Sequence, residues 1–338
     1  MSALADLQKA CGEEHARPAA PADAVQGVEP SLVASPGSTD EAAEVLSVAA
    51  AHGLHVVARG TGTRLDWGSP PSDLDLVVDV SRMSGVVEHA AGDLVTVVRA
   101  GTPLAALQTA LAPKRQRLAL DPPDPGGGTR VGMAAPAAPA APAARTVSGT
   151  VGGAVATNAS GPLRLGYGTP RDLLIGVTVV RADGKVAHAG GRVVKNVAGY
   201  DLGKLLAGSH GTLGIITETI FRLHPLPPAA AYLSCPVEDP DEAHRRVQAL
   251  VHAQLVPVAV ELDLPAPGGP GTVGLLLEGI EPGVEARTRQ ALALLGKGTV
   301  QSRQPPPWWG RYPFGTGDVA LRLTAEIAAL PHVLDALG

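Results

Sequence analysis

The stretch TVGGAVATNASGPLRLGYGTPRD, residues 150–172, decides how the rest of the chain is interpreted. Small polar residues lie between its glycines, which stand at positions 152, 153, 161, 166 and 168. Glycine lets a ligand approach the backbone closely, and successive exposed N–H groups bind an anion without a lysine. A surface loop of small residues is the alternative that composition leaves open. One similar loop before this stretch and another after it favour a ligand site.

The earlier loop, the first loop, reads RGTGTR at residues 59–64 and follows a β-branched run over 54–58 that predicts a buried strand. A strand that leads into glycines can hold a pyrophosphate through backbone N–H groups. The loop lacks the third glycine of GxGxxG and no GK[ST] follows it, which argues against a Rossmann nicotinamide domain and an ATPase. The third loop, GSHGT at 208–212, leads into a predicted strand over 213–223.

The composition of the chain narrows its class. Its 338 residues, of which 45% are hydrophobic, are enough for two domains or one large domain. The net charge of −5 gives no basic surface for nucleic acid. Cys11 and Cys235 form no CxxC, so no disulfide framework, zinc site or iron–sulfur site is indicated. Because no signal peptide or membrane span is visible, we expect a cytoplasmic protein without direct membrane insertion. Any association with a membrane would then take place through partner proteins.

Local signals place the elements around the three loops. Ser38 is predicted to cap a helix that ends at Gly53, with the Glu41 side chain reaching back to the cap. Proline and turn residues also predict a helix over 104–111 and hairpins over 86–100 and 173–189.

The sequence PLPP at 225–228 marks a predicted domain boundary, beyond which the pattern predicts the βαββαβ order of a ferredoxin-like domain. The predicted elements are strands over 232–237, 257–262, 273–278 and 319–324 and helices over 241–254, 284–295 and 325–337. We therefore expect an N-terminal extension over 1–26, a main domain over 27–228 with a low-complexity Ala/Pro insertion at about 130–145, and a C-terminal domain over 229–338.

With these loops placed, the chain resembles the FAD-binding oxidoreductases of the vanillyl-alcohol oxidase and p-cresol methylhydroxylase (PCMH) superfamily. Within it, the sequence is similar above all to the E-type FAD-binding subunit of glycolate oxidase, and more distantly to the D-type subunit of that enzyme and the D-lactate dehydrogenases. The resemblance implies an α+β fold, in which a two-part PCMH-type FAD-binding domain precedes a small ferredoxin-like α+β cap domain. The motifs that carry it are ARGTGT at 58–63, GTVGGAVATNASGP at 149–162, YGTPRDLLIGVTVV at 167–180, KNVAGYDLGKLLAGSHGTLGIIT at 195–217 and RLHPLP at 222–227.

The resemblance also implies which residues bind the cofactor. In the family, the first loop wraps the FAD pyrophosphate, the second lines the diphosphate, ribityl chain and flavin, and the third reaches the adenine and flavin. Thr63 stands where relatives with covalently attached FAD often carry histidine, so non-covalent FAD is implied. The implied cofactor-binding residues are Arg59, Gly60, Thr61, Gly62, Thr63, Pro122, Thr150, Gly152, Gly153, Thr157, Asn158, Gly161, Tyr167, Gly168, Arg171, Asp172, Gly211, Ile215 and Ile216.

The sequence assigns no catalytic residue. Oxidation of a 2-hydroxy acid needs a hydride path to the flavin, a base for the hydroxyl proton and a cation for the carboxylate. His224, His244 and His252 show no HxH or HExxH spacing, so no metal site is predicted and ordinary structural or surface roles are favoured.

Two further groups of residues have open roles in the sequence. Arg192, Lys195 and Asn196 precede the third loop and could either face the flavin or lie in solvent. Trp308 and Trp309 could cover a pocket, or they could be packing or interface residues.

For function, the resemblance implies an FAD-dependent oxidoreductase subunit acting on the CH–OH group of a small 2-hydroxy acid such as glycolate or D-lactate. It also implies a D-type flavoprotein and an iron–sulfur protein as partners that take the electrons. One alternative is a non-catalytic FAD-binding module for electron transfer or assembly. Another is a related flavoenzyme, such as a UDP-N-acetylenolpyruvoylglucosamine reductase or the FAD subunit of a molybdenum hydroxylase. A purely structural protein would leave three loops without a ligand.

Overall fold

The computed structural model describes residues 2–123, 149–192, 201–266, 268–315 and 318–336, so the predicted Ala/Pro insertion lies outside the described residues. The chain divides into two units. The first unit comprises the described residues within Met1–Ala119, Arg145–Ala159 and Thr169–Pro225, and the second those within Leu120–Ala144, Ser160–Gly168 and Leu226–Gly338.

Ten α-helices and fifteen β-strands lie in the described part of the chain. The helices are α1 Ala3–Cys11, α2 Thr39–His52, α3 Leu104–Leu111, α4 Val151–Thr157, α5 Arg164–Tyr167, α6 Pro170–Leu173, α7 Leu202–Leu206, α8 Pro240–His252, α9 Glu281–Leu295 and α10 Leu330–Asp335. The strands are β1 Ala16–Pro18, β2 Leu32–Ala34, β3 Val56–Arg59, β4 Leu76–Asp79, β5 Val86–Ala90, β6 Val95–Arg99, β7 Gln116–Arg117, β8 Leu174–Val180, β9 Val186–Gly190, β10 Ile215–Arg222, β11 His224–Pro225, β12 Ala229–Val237, β13 Ala259–Asp263, β14 Gly271–Gly279 and β15 Val300–Ser302.

The first sheet of the first unit has the order β1-β2-β4-β3, in which β2 and β3 run parallel to β4. Helices α1 and α2 pack together against its apolar residues. The Ser38 hydroxyl accepts a hydrogen bond from the Glu41 N–H at 3.1 Å, which confirms the predicted cap of α2. The Glu41 carboxylate accepts instead from the Gly37 N–H, one residue farther back than predicted.

The second sheet is antiparallel, with the order β5-β6-β10-β8-β9. Both predicted hairpins are present in it, as β5 with β6 and β8 with β9. The long strand β10 lies in the middle and pairs with β6 and β8. Its N-terminal end follows the third loop directly, so this sheet fixes where that loop stands in the first unit.

The second unit contains an antiparallel sheet of order β13-β14-β12-β15 with α8 and α9 packed on it. The predicted βαββαβ order is confirmed, but the predicted position of its last strand in the sequence is wrong. The fourth strand is β15, which occupies the free edge of β12. The described residues of the predicted strand over 319–324 carry no regular structure, and Val319 and Leu321 are 90% and 82% exposed. The predicted last helix is shorter than expected and covers Leu330–Asp335.

Candidate functional site

A cavity of about 260 Å³ lies in the first unit where the three glycine-rich loops meet. A Cβ on Gly60 would come within 2.5 Å of the Thr150 hydroxyl oxygen, so glycine there lets the first loop approach the start of α4. The third loop is tied to the same helix by backbone hydrogen bonds, from Gly208 to Val155 at 3.0 Å and from His210 to Ala156 at 2.7 Å. Loops far apart in the sequence therefore share one site.

Twelve of the predicted cofactor-binding residues line this cavity: Arg59, Gly60, Thr61, Gly62, Thr63, Thr150, Gly152, Gly153, Thr157, Gly211, Ile215 and Ile216. The seven others lie outside its lining. Asn158, Arg171 and Asp172 belong to the first unit, and Pro122, Gly161, Tyr167 and Gly168 belong to the second.

The first loop lines the cavity and carries backbone N–H groups without acceptors. It also borders a second cavity of about 640 Å³, whose lining includes Asp23, Asp66 and Asp79. Within the described ranges, the N–H groups of Thr61, Gly62 and Thr63 donate to no acceptor of the protein. Gly62 has a φ of +76°, a left-handed conformation that glycine adopts without strain. Unsatisfied N–H groups in a turn of this kind form an anion-binding concavity. This loop therefore offers donors for an anion, and its binding of the FAD diphosphate stays a prediction.

The start of α4 differs from the first loop, because its N–H groups have acceptors within the protein. Thr150 caps the helix, and its hydroxyl accepts from the Gly153 N–H at 3.1 Å. The Val151 and Gly152 N–H groups donate to backbone carbonyls at 2.8 Å each. A Cβ on Gly152 would lie 2.7 Å from the Ala100 Cβ. Glycine is needed here for close packing, and the N–H groups of residues 151–153 are already engaged.

Two carboxylates bind the side chain of Arg59 at the start of the first loop. Its guanidinium lies 3.0 Å from Asp23 and 3.0 Å from Asp79, and Asp23 also binds Arg17 at 2.8 Å. The hydrogen bond from Arg17, followed by those from the Ala20 N–H and from Arg59, holds the pKa of the Asp23 carboxyl well below its usual range. Arg59 therefore anchors the loop, and its charge is balanced from within the protein.

Sequence reasoning missed Arg64, Trp67 and His210, which also line the cavity. Arg64 is 9% exposed, its Nη1 lies 3.4 Å from the Thr63 hydroxyl, and its guanidinium lies 5.6 Å from the centre of the Trp67 ring. The available signal was an arginine placed directly after GTGT. Among the described residues that line the cavity there are two arginines and no carboxylate.

Three predicted site residues of the first unit have structural roles at helix ends. Asn158 ends α4 in the left-handed conformation, and its side-chain oxygen accepts from the Arg171 N–H at 3.2 Å. The Asp172 carboxylate accepts from the N–H and the hydroxyl of Thr169 at the start of α6, both at 2.8 Å. The side chains of Asn158 and Asp172 therefore act at helix ends, and Arg171 contributes its backbone N–H.

The predicted site residues of the second unit also take part in packing. Gly161 lies against the Asp121 carbonyl, where a Cβ would collide. The Tyr167 hydroxyl donates to Glu278 at 2.8 Å, and Gly168 ends α5 with a φ of +87°. Pro122 is half-buried.

The remaining candidates take ordinary positions. Arg192 forms an ion pair with Glu88 at 2.8 Å and is exposed, and Lys195 and Asn196 lie outside the described residues. Burial, with the charges of Arg222 and Arg117 adding to it, lowers the pKa of His224 to about 4, so this imidazole is neutral at physiological pH. Within the described ranges, no group of three or more His, Cys, Asp or Glu side chains could hold a metal ion.

The tryptophan pair belongs to the packing of the second unit. Trp309 is buried and contacts Tyr232 edge to face, with ring centres 5.5 Å apart. Both indoles cover Gly274 of β14, where a Cβ would come within 2.6 Å of each ring.

The family that matches the sequence is described as an FAD binding domain, and it matches residues 30–144 and 136–190. The chain is 34% identical to glycolate oxidase subunit GlcD of Bacillus subtilis, over 70% of this chain and 46% of that protein. It is 34% identical to glycolate oxidase subunit GlcE of Escherichia coli, over 53% of this chain and 45% of that protein. The structure of p-cresol methylhydroxylase with substrate bound shares the fold, with a TM-score of 0.68, 15% identity, and coverage of 88% of this chain and 65% of that one.

Residues 30–190 of the chain therefore match the FAD binding domain family, and the chain shares the fold of p-cresol methylhydroxylase. It spans about half the length of the curated relatives it matches. Among the described residues, no helix is long and apolar enough to cross a membrane.

FAD, the cofactor of this family, suits the residues that the cavity presents. The diphosphate of FAD needs N–H donors and positive charge, which Thr61, Gly62, Thr63 and Arg64 provide. The flat ring of a flavin needs an apolar wall, and the described lining includes Val57, Ala156, Ile215 and Ile216. The sequence prediction of FAD is therefore confirmed by the family, and its non-covalent attachment stays a prediction.

Proposed function

We propose that this chain is an FAD-dependent oxidoreductase subunit that oxidises the CH–OH group of a small 2-hydroxy acid such as glycolate or D-lactate. The observation that carries the proposal is the cavity, because it combines free N–H donors on the first loop with an apolar wall and no carboxylate among its described lining residues. The relatives named as glycolate oxidase subunits support this substrate class.

The residues of this chain would bind and orient the cofactor. The first loop would hold the diphosphate through Thr61, Gly62 and Thr63, with Arg59 fixing the loop from below. Ile215 and Ile216 at the start of β10 would exclude water from one side of the ring. FAD bound there would supply the acceptor for the hydride, two electrons with one hydrogen, that leaves the alcohol carbon as the hydroxyl proton is released.

The proposal includes partner proteins that receive the electrons. The named relatives are subunits of glycolate oxidase, which supports a multisubunit role for this chain. A D-type flavoprotein and an iron–sulfur protein are the partners we propose. The two cysteines of this chain, Cys11 and Cys235, are too few to hold a Cys₄ iron–sulfur cluster, so such a centre would lie in a partner protein.

An anaerobic visible spectrum of the purified chain tests the proposal. The chain is reconstituted with FAD, freed of excess cofactor, and recorded before and after the addition of glycolate or D-lactate. We expect protein-bound flavin bands that bleach with one of the two acids. Failure to bind FAD would overturn the whole proposal. Bound flavin that neither acid reduces would contradict catalysis by this chain and support the alternative role, an FAD-binding module for electron transfer or assembly.

Two glycine variants provide a matched control for the site. Gly62 and Gly53 both have positive φ values, +76° and +65°, and a Cβ would clash at neither, since it would lie 3.8 Å from Leu65 Cδ1 at Gly62 and have no atom within 4 Å at Gly53. Only Gly62 lines the cavity. We expect Gly62→Val to weaken FAD binding by about tenfold or more, equivalent to about 1.4 kcal/mol. Gly53→Val, at the end of α2, carries similar backbone strain and should retain FAD. Equal FAD retention by the two variants would contradict the placement of the cofactor on the first loop.

A further inference from the structure

Residues 318–325, the exposed segment, read DVALRLTA and carry no regular structure in the second unit. In the described part of the chain, the N–H and C=O groups of residues 319–325 take part in no backbone hydrogen bond. The side chains of Val319, Leu321 and Leu323 alternate with smaller or polar ones and are 90%, 82% and 61% exposed. A row of free backbone groups beside exposed apolar side chains is a template for pairing with another chain.

Both ends of the exposed segment are fixed to the second unit. Trp309 precedes it and is 2% exposed in the packing against Tyr232. Leu330 follows it and packs against the core of this unit, where α10 contacts α8. At its start, the Asp318 carboxylate accepts a hydrogen bond from the Gly315 N–H at 2.8 Å. Because the ends are held, the segment has less conformational freedom to lose when it pairs.

The sequence of the exposed segment is complementary to itself. When two copies pair antiparallel about Ala320, Asp318 of each copy lies opposite Arg322 of the other. The same register places Val319 opposite Leu321 on the other face of the two strands. Opposite charges and apolar side chains placed directly across two strands both stabilise the pair. The self-pairing therefore satisfies the free backbone groups, covers exposed apolar side chains and joins opposite charges.

We propose that the exposed segment is a dimerisation strand, through which two copies of this chain pair antiparallel about a two-fold axis at Ala320. The contact is isologous, because the same residues serve in both copies. It involves residues 318–322 of each copy, a small area for a protein–protein interface, so the dimer is weak and depends on protein concentration. The inference goes beyond the proposed function and does not depend on it, since none of these residues lines the cavity of the first unit.

Sedimentation equilibrium of the FAD-reconstituted chain over a range of concentrations tests the proposal. We expect the wild type to pass from monomer to dimer as its concentration rises. Arg322→Asp places a carboxylate opposite Asp318 twice in each dimer, and Asp318→Arg places two arginines opposite each other. Each change should raise the dissociation constant by about tenfold or more, because both cross-strand pairs turn from attractive to repulsive. The two changes combined in one chain restore opposite charges and should recover the dimer.

Two further variants control for charge and for backbone pairing. Arg303→Asp changes the net charge equally on an exposed arginine of the same unit that pairs with Glu281, and it should dimerise as the wild type does. Ala320→Pro leaves the charge unchanged and places a residue without an N–H at the centre of the proposed ladder, so it should weaken the dimer. Far-UV circular dichroism and the thermal midpoint report whether each variant keeps the fold.

The outcomes that would overturn the proposal are distinct. A dimer that tolerates both Arg322→Asp and Ala320→Pro would place the interface elsewhere. Single variants that weaken the dimer without rescue by the combined change would contradict the antiparallel register. A wild-type chain that stays monomeric at every concentration would overturn the proposal outright. Amide hydrogen exchange of that monomer would then identify the occupant, because protection of residues 319–325 in the chain alone indicates pairing within the chain, and protection only in a complex with a D-type flavoprotein indicates that partner.

Discussion

Residues 60–63, GTGT, and residues 150–153, TVGG, are glycine–threonine stretches, and all of these residues except Val151 line the same cavity. In the first loop, the N–H groups of residues 61–63 have no acceptor within the described part of the chain. At the start of α4, the N–H groups of residues 151–153 are bonded to Thr102, Ala100 and the Thr150 hydroxyl. Glycine therefore has two uses in one site. It exposes backbone donors in the first loop, and it lets two segments pack closely at α4.

The largest expected effect comes from filling the close contact at α4. Gly152→Val would place its Cβ within 3.0 Å of the Ala100 carbonyl oxygen and closer still to the Ala100 Cβ. Overpacking of this kind should lower the free energy of unfolding by about 3 kcal/mol, measured by urea denaturation of the apoprotein. Gly92→Val is the control, because nothing lies within 4 Å of a Cβ there. A Gly152→Val variant as stable as the control would show that α4 does not need close packing at this position.

The second prediction concerns the carboxylate beneath the first loop. Asp23→Asn removes the charge that pairs with Arg59 and Arg17, and the Asp23 side chain is 6% exposed. We expect a loss of about 2 kcal/mol in the free energy of unfolding at neutral pH, because hydrogen bonds to buried charged groups are lost. FAD affinity should fall as well, since Arg59 begins the loop that would hold the diphosphate.

The pH dependence of this variant has a definite sign. Arg17 and Arg59 lower the pKa of Asp23 in the folded protein. The stabilisation is therefore complete above the unfolded-state pKa, about 3.9, and is lost as the pH falls towards the folded-state value. The stability difference between wild type and Asp23→Asn should be constant at neutral pH and shrink below about pH 4. Asp75→Asn, at the exposed His55–Asp75 pair, should change stability by at most about 1 kcal/mol. A difference that grows in acid would contradict the ion-pair role of Asp23.

Much of the fold could be predicted from local sequence signals. The cap at Ser38, the two hairpins and α3 follow from short motifs whose geometry depends on a few neighbouring residues. The predicted strand over 319–324 failed for a non-local reason. Its alternation is a strand pattern, but the edge of β12 is taken by β15, a short strand with no buried residue. Alternation indicates that a segment can pair, and it does not determine which segment occupies an edge.

The candidate site was predictable in its residues more than in its chemistry. The glycines and threonines of the first loop are visible in the sequence, and twelve predicted residues line the cavity. The partners of the N–H groups at α4 are set by Ala100 and Thr102, about fifty residues away in the chain. The role of Asp23 was equally hidden, because residues 1–26 read as an extension and yet supply this carboxylate to Arg59. Contacts of this kind come from sheet topology, which local patterns do not encode.

The smallest expected effect separates the two uses of glycine most sharply. Thr150→Ala removes the cap of α4 and releases the Gly153 N–H, which should cost about 1 kcal/mol in the free energy of unfolding. Thr150→Ser keeps the capping oxygen and should be close to wild type. If the N–H groups at α4 only stabilise the helix, FAD affinity should change far less in Thr150→Ala than in Gly62→Val. A loss of FAD binding as large as that of Gly62→Val, in a variant that remains folded, would mean that the start of α4 contributes directly to cofactor binding. The first loop and α4 would then no longer differ in whether their N–H groups bind the cofactor.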